Sequence, residues 1–254
     1  MPASVLFNMV KQEKIHKGSI KTVAVIPGAG AGLRMGGGMA KQFLEVDGKP
    51  ILALTLEKFQ ACTLIDSITL VVPLAGVGFC KREIIERYNL DKVENIILGG
   101  ERRQDSVRFG IEASKGEYEL VVIHDGVRPF IDMGLIERSI AAAKIHRAVI
   151  TALPAKETVK KVDQSGFVIK TCERRDVWLV QTPQVFRYED IMSAHEKAVS
   201  EGWEDVTDDA SLIERLGIPI KVILGSEYNI KVTTPQDMEL AKYLMERVKR
   251  DTVT

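Results

Sequence analysis

The stretch from Val23 to Phe43 constrains this chain more than any other. It reads V-A-V-I-P-G-A-G-A-G-L-R-M-G-G-G-M-A-K-Q-F. The apolar run Val23–Ile26 has the character of a buried parallel strand, and it opens into a loop carrying Gly28, Gly30, Gly32, Gly36, Gly37 and Gly38. Glycine lets backbone N–H groups turn toward a polyphosphate and approach it closely. Arg34 and Lys41 supply positive charge within the same stretch. A glycine-rich loop after a first strand is where open α/β sheets place a nucleotide. The loop is not a P-loop, because no Gly-Lys-Ser/Thr follows it. A G-x-G-x-x-G pattern started at Gly30 and Gly32 meets Met35 at its third position, so the dinucleotide fingerprint fails too.

The rest of the chain alternates short apolar runs with helical patterns. Strands are predicted at Ser67–Val72, Asn95–Leu98, Leu120–Ile123, Ala148–Leu153, Leu179–Gln181 and Ile218–Leu224. Helices are predicted at Ile51–Phe59, Cys80–Tyr88, Asp105–Ser114, Met133–His146, Tyr188–Glu201 and Thr207–Leu216, with a closing helix from Thr234-Pro235. Gln104 or Asp105 suits the first N-cap in question, and Thr207 or Asp208 the later one. Such a βα rhythm implies an α/β fold with a mostly parallel sheet and helices on both faces. The rhythm breaks at Lys156–Val162 and Phe167–Thr171, two β-prone runs around the turn cluster Asp163-Gln-Ser-Gly166. A lone hairpin is marginal in water, so this arm requires another surface, most economically a second subunit. With no linker or repeat, residues 21–250 read as one domain with a β-arm insertion at about 154–176, after an N-terminal extension, 1–20.

Composition removes several classes of function. The formal net charge is zero, so no overall field draws the chain to nucleic acid or to an anionic membrane. Three cysteines, Cys62, Cys80 and Cys172, form no CxxC pair, which argues against a disulfide framework or structural zinc. No apolar run approaches the ~20 residues of a membrane helix, and the first residues lack a signal-peptide core. A cytoplasmic enzyme is the expectation.

Polar residues at strand ends supply the chemistry. Gly99–Val107 contains Gly100 and Ser106, which suit either a nucleotide contact or a helix cap. His124–Pro129 contains Asp125 and Arg128. A carboxylate at a strand end beside phosphate oxygens suits Mg²⁺, which takes few protein ligands; a turn or cap role is the alternative. His124 could act as a base, although a histidine at a strand end is more often structural. Thr182 follows the Leu179–Gln181 run, and Lys231 follows the last strand. Arg34, Lys41, Arg128 and Lys231 together match what nucleotidyl transfer asks of a protein, namely positioning and cations around a charged phosphorus. No G-x-S-x-G or Cys/His pairing suggests a covalent nucleophile.

Taken in order, G-x-G-x-R-M with K-Q-F, G-G-x-x-R-x-x-S-V, H-D-x-x-R-P, K-E-T-V-K, W-x-x-Q-T-P-Q, T-D-D-A-S and N-I-K-V-T-T-P resemble the 2-C-methyl-D-erythritol 4-phosphate cytidylyltransferases of the non-mevalonate isoprenoid pathway. The resemblance runs from Thr22 to Leu244. It implies a Rossmann-like, three-layer nucleotidyltransferase fold and transfer of CMP from CTP to 2-C-methyl-D-erythritol 4-phosphate. Mg²⁺ assists an in-line attack, and diphosphate leaves. It implies Arg34, Lys41 and Lys231 as catalytic cations, and Gly28, Ala29, Gly30, Gly32, Gly100 and Ser106 around CTP. Asp125 would hold the metal, and Arg128, Thr158, Arg174 and Thr182 the acceptor. Thr158 and Arg174 would reach a partner's site through the dimerising arm of a homodimer. Ala40 replaces a proline common before Lys-Gln, and Asp125-Gly-Val-Arg128 replaces the usual D-A-A-R. The second change also suits the related ribitol 5-phosphate cytidylyltransferases. A non-catalytic nucleotide-binding protein is the alternative from another class.

Overall fold

The computed structural model describes residues 20–30, 40–114, 117–204 and 206–253. Arg34, Gly32 and nearly all of the N-terminal extension therefore lie outside the described residues. The chain forms β1 (Thr22–Pro27), a hairpin of β2 (Glu45–Val46) and β3 (Lys49–Pro50), α1 (Ile51–Ala61) and β4 (Ser67–Val72). It continues through α2 (Val77–Phe79), which runs on as a π-helical turn (Cys80–Glu86), then β5 (Val93–Leu98), α3 (Arg103–Ala113), β6 (Leu120–Ile123), α4 (Met133–Ile145) and β7 (Ala148–Pro154). The second half holds β8 (Lys160–Val162), β9 (Val168–Thr171), β10 (Trp178–Arg187), α5 (Tyr188–Glu201), α6 (Asp209–Arg215), β11 (Ile220–Leu224) and α7 (Pro235–Val253).

Seven strands form one sheet in the order β11-β7-β10-β6-β1-β4-β5. All neighbours are parallel except β10, which runs antiparallel to both β6 and β7. The side-chain period of two divides the buried strands between two cores. Ala24 and Ile26 of β1 face one layer, with Leu52, Leu56 and Phe59 of α1 and Leu135, Ile136 and Ile140 of α4. Val23 and Val25 face the other, with Val107 and Ile111 of α3, Ile191 of α5 and Ile213 of α6. Helices thus cover both faces, and the central strands are continuous apolar runs because both of their sides are dry.

Local chemistry sets the element ends. Pro73 follows the last residue of β4 and cannot donate to a further ladder bond. Asp47 and Gly48, at φ of 56° and 73°, close the β2–β3 hairpin in the left-handed conformation that a tight two-residue turn demands. Asp132 and Asp208 cap α4 and α6, each accepting a backbone N–H from three residues ahead. The helix expected from Asp105 starts earlier, with Arg102 at the N-cap, and Asp105 Oδ2 accepts the Arg102 N–H at 3.2 Å.

One expectation is corrected by strand direction. The Thr182-Pro-Gln segment does not follow a strand; it lies inside the ten-residue β10, at a register shift between Gln181 and Gln184. Because β10 is antiparallel, its middle rather than its end comes to the edge where β1, β5 and β6 finish. The β8–β9 arm pairs with no strand of the main sheet.

Helix α3 sits close against β1 and β4 because Gly110 has no side chain. A Cβ there would lie 2.6 Å from Val25 Cγ1 and 2.9 Å from Val71 Cγ2, both in the core. Gly110→Val should therefore destabilise the protein by about 1–3 kcal/mol through overpacking. Urea unfolding checks this, and an unchanged midpoint would show that α3 does not pack as described.

Candidate active site

Four loops and the middle of β10 meet at one edge of the sheet. The first loop continues β1. Gly28 N–H donates to the Val71 carbonyl of β4 at 2.7 Å, and a Cβ on Gly28 would stand 3.3 Å from that oxygen. Gly99 and Gly100 end β5 in a crowded turn, where added Cβ atoms would stand 2.2 Å from Ala29 Cβ and 2.4 Å from Asp105 Cβ. These two glycines are required by close approach, whereas a Cβ on Gly30 would meet no atom of the described residues within 4 Å. Ser106 Oγ accepts the Gly100 N–H at 3.1 Å and lies 3.2 Å from the Arg102 carbonyl, so it shapes this loop. Gly28, Ala29, Gly30, Lys41, Gly100 and Ser106 line a cavity of about 310 Å³.

A second cavity, of about 410 Å³, lies on the β10–α6 side and is lined by Arg128, Thr182, Gln184 and the start of α6. Arg103, Asp125 and Lys231 line both cavities and form the wall they share. Asp125 follows β6 and is 5% exposed. Its Oδ1 lies 3.1 Å from Arg103 Nε, and its Oδ2 lies 2.9 Å from Lys231 Nζ and 3.3 Å from Arg128 Nε. Arg103 also reaches Asp209 Oδ2 at 2.7 Å. Burial alone would raise the Asp125 pKa, but the charges of Arg103, Lys231 and Arg128 outweigh it and hold the carboxyl well below its ordinary 3.8.

The loops bearing these groups lock to each other. Arg128 Nη1 donates to the Asn229 carbonyl at 2.8 Å, and Asn229 Nδ2 donates to the Thr182 carbonyl at 2.7 Å. Val232 N–H donates to the Val127 carbonyl at 2.9 Å, with both side chains buried against Ile51 and Ala241. His124 is fully buried beneath them, between the Arg128 carbonyl and the Thr182 hydroxyl. Burial pushes its pKa down to about 4 against the bonds that would raise it, so it is neutral near pH 7 and built into the structure. A surface base is therefore not what this residue is.

Of the residues singled out from sequence, Lys41, Asp125, Arg128, Thr182, Lys231 and the described nucleotide-loop residues come together at this edge. Thr158 and Arg174 line neither cavity of the same chain. Arg174 Nη1 donates instead to the Lys156 carbonyl at 2.9 Å, within the arm. Sequence reasoning missed Arg103 and Asp209. Arg103 is the fixed arginine of G-G-x-x-R-x-x-S-V and Asp209 the second aspartate of T-D-D-A-S, but neither motif shows that the two side chains meet. Arg102 pairs with Asp105 and lines only the first cavity, while Arg103 lines both and bonds Asp125 and Asp209; Asp208 caps α6 while Asp209 is buried.

A divalent cation needs oxygen donors that converge on one point. Among the described residues no group of three His, Cys, Asp or Glu side chains converges. Asp125, with three donors on a carboxylate that has about four lone-pair positions, retains room for one more partner. One carboxylate beside a phosphate cleft fits Mg²⁺, which completes its shell with water and phosphate oxygens.

Replacing Asp125 by Asn should leave three cations facing one another, at a cost of about 3–5 kcal/mol. Because the folded-state pKa is depressed, the wild-type contribution is present above pH ~3.8 and fades as pH falls through the lower folded value. The stability gap between wild type and variant should thus be constant from pH 5 to 8 and narrow below pH ~4. A gap that narrows toward neutrality would contradict the assignment.

A family model, that of IspD, 2-C-methyl-D-erythritol 4-phosphate cytidylyltransferase, matches residues 22–247. A relative of the same name from Geobacter metallireducens is 46% identical over 86% of this chain and 95% of its own. Another, from Geotalea uraniireducens, is 43% identical over 91% of this chain and the whole of the relative. The solved 4-diphosphocytidyl-2C-methyl-D-erythritol synthase from Anaerococcus prevotii superposes with a TM-score of 0.81 at 34% identity, covering 90% of this chain and 97% of that one. The cytidylyltransferase from Francisella tularensis does so at 0.75 and 33%, covering 88% and 99%. With a family model over nearly the whole chain, a shared fold and this degree of identity, the chain belongs to the 2-C-methyl-D-erythritol 4-phosphate cytidylyltransferase family of nucleotidyltransferases.

Proposed function

We propose that this chain transfers CMP from CTP to 2-C-methyl-D-erythritol 4-phosphate. The observation that carries the reading is the wall of Arg103, Asp125 and Lys231 between two cavities. CTP would occupy the cavity beside Gly28–Gly30, Gly100 and Ser106, and the acceptor the one beside Arg128 and Thr182. An oxygen of the acceptor phosphate attacks the α-phosphorus of CTP. The new P–O bond forms as the bond from the α-phosphorus to the β-bridging oxygen breaks, and diphosphate departs with that electron pair.

Lys231 reaches the boundary between the cavities, where charge grows on the α-phosphate, and Lys41 together with Arg34 would neutralise the leaving diphosphate. Mg²⁺ held at Asp125 would screen the triphosphate oxygens. Cations aimed at developing charge act most strongly in a site that excludes water. No base is needed, because the attacking phosphate oxygen is already ionised near pH 7.

Residues 21–250 act in this reading as one catalytic unit, and 154–176 reach a second copy of the chain. Phe167, Val168 and Ile169 on the arm, and Leu179 and Val180 at the start of β10, are exposed apolar side chains that need cover. Arg174 and Thr158, which line neither of the two site cavities of their own chain, would then complete the acceptor side of the partner.

Diphosphate release from CTP and Mg²⁺ tests the reading. Release with 2-C-methyl-D-erythritol 4-phosphate and not with ribitol 5-phosphate is expected. Release only with ribitol phosphate would overturn the acceptor, and CTP binding without turnover would favour a binding protein. Lys41→Ala should lower kcat by about 10²–10³-fold while changing CTP affinity little; equal losses in both would remove it from the reacting phosphates. Arg174→Ala should raise the acceptor KM and leave the CTP KM unchanged, and a selective CTP defect would move it to the nucleotide.

A further inference from the structure

His124 is fully buried and its two hydrogen-bond partners are a carbonyl and a hydroxyl, with no carboxylate to hold a charged ring, and around a neutral ring these bonds fix the direction of every proton in the group. His124 Nε2 lies 3.1 Å from the Arg128 backbone carbonyl. A carbonyl oxygen only accepts, so Nε2 carries the hydrogen and Nδ1 of the neutral ring is bare. Nδ1 lies 3.1 Å from Thr182 Oγ1, so the threonine hydroxyl gives its single hydrogen to the ring. The same oxygen accepts the Asp125 N–H at 3.1 Å. A hydroxyl has one donor and two acceptor positions, and here one acceptor position is left. The Asn229 amide holds the Thr182 carbonyl, so the residue is fixed at both its polar ends.

We propose that His124 is a positioning residue that makes Thr182 an acceptor-only hydroxyl, selecting an acceptor substrate that presents a hydroxyl donor at that point of the cavity. The inference rests on the reading of the β10–α6 cavity as the acceptor side. Thr182 lines that cavity together with Arg128 and Lys231. An ionised phosphate offers only lone pairs and is refused by an oxygen that can only accept. The phosphate therefore falls to Arg128 and Lys231, and the polyol part of the acceptor faces Thr182. Orientation of the acceptor follows from one buried imidazole tautomer.

Long-range ¹H–¹⁵N spectra of the full-length protein at pH 7 read the tautomer directly. The His124 signal, assigned by its loss in His124→Asn, should show a protonated Nε2 and a bare Nδ1; a hydrogen on Nδ1 would overturn the inference. Kinetics supply the second arm. Thr182→Val should raise the acceptor KM about tenfold, the worth of one hydrogen bond left unmade, with the CTP KM unchanged. Thr182→Ser should restore most of that loss. Acceptor analogues with single hydroxyls replaced by hydrogen should include one that loses about tenfold on wild type and nothing further on Thr182→Val. Additive losses for every analogue would overturn the recognition. A Thr182→Val defect in the CTP KM alone would instead overturn the reading of the cavity, with the tautomer still standing. Should Thr182→Val not fold, the tautomer and the analogue series on wild type and Thr182→Ser decide.

Discussion

Three cations from separate parts of the chain converge on the carboxylate of Asp125. Arg103 arrives at the start of α3, Arg128 from the turn after β6, and Lys231 from the loop beyond β11. Taking such charges out of water costs several kcal/mol each, and the cost is met only when every member is paired. Asp125 and Asp209 together fall one charge short of the three cations. The remaining positive charge, at the meeting point of two cavities, favours a polyanion. The same ion pairs that hold the loops in place thus define where phosphates are welcome, and a loop that moved would leave a buried charge exposed to its own kind.

This centre depends on packing that lies well away from it. Val127 and Val232 tie the β6 and β11 loops to α1 and α7, and Gly110 lets α3 approach β1 closely enough to bring Arg103 to the carboxylate. The antiparallel course of β10 matters as much. A parallel strand would have offered the cleft only its last residue, whereas β10 passes through it and leaves Thr182 against His124 and Asp125. Neutral His124, held in the interior, lends the turn rigidity without adding a fourth positive charge.

Much of the fold was legible because both faces of the central strands are buried, so Val23–Ile26, Ser67–Val72 and Leu120–Ile123 announce themselves as unbroken apolar runs. The glycine-rich loop, Asp125 and Lys231 were legible because strand ends in such sheets face a common edge. Other features were hidden. Strand direction is not written in β10, since its buried half, Thr182–Phe186, has the composition that a parallel strand buried on both faces would have. The π-helical turn after α2 replaces a helix that a charged amphipathic pattern suggests, because that pattern does not distinguish one extra residue per turn. The pairing of Arg103 with Asp209 joins two motifs 106 residues apart, which no local pattern reveals. The arm residues Thr158 and Arg174 mark a further limit, because one chain does not contain the surface they would serve.

The measurement that tests the account most directly is a crystal structure with the cytidylated product and Mg²⁺ bound. The cytidine should lie against Gly28–Gly30, Gly100 and Ser106, and the methylerythritol against Arg128 and Thr182, with the phosphates astride Arg103, Asp125 and Lys231. A product lying wholly on one side of that wall, or reversed across it, would contradict the account.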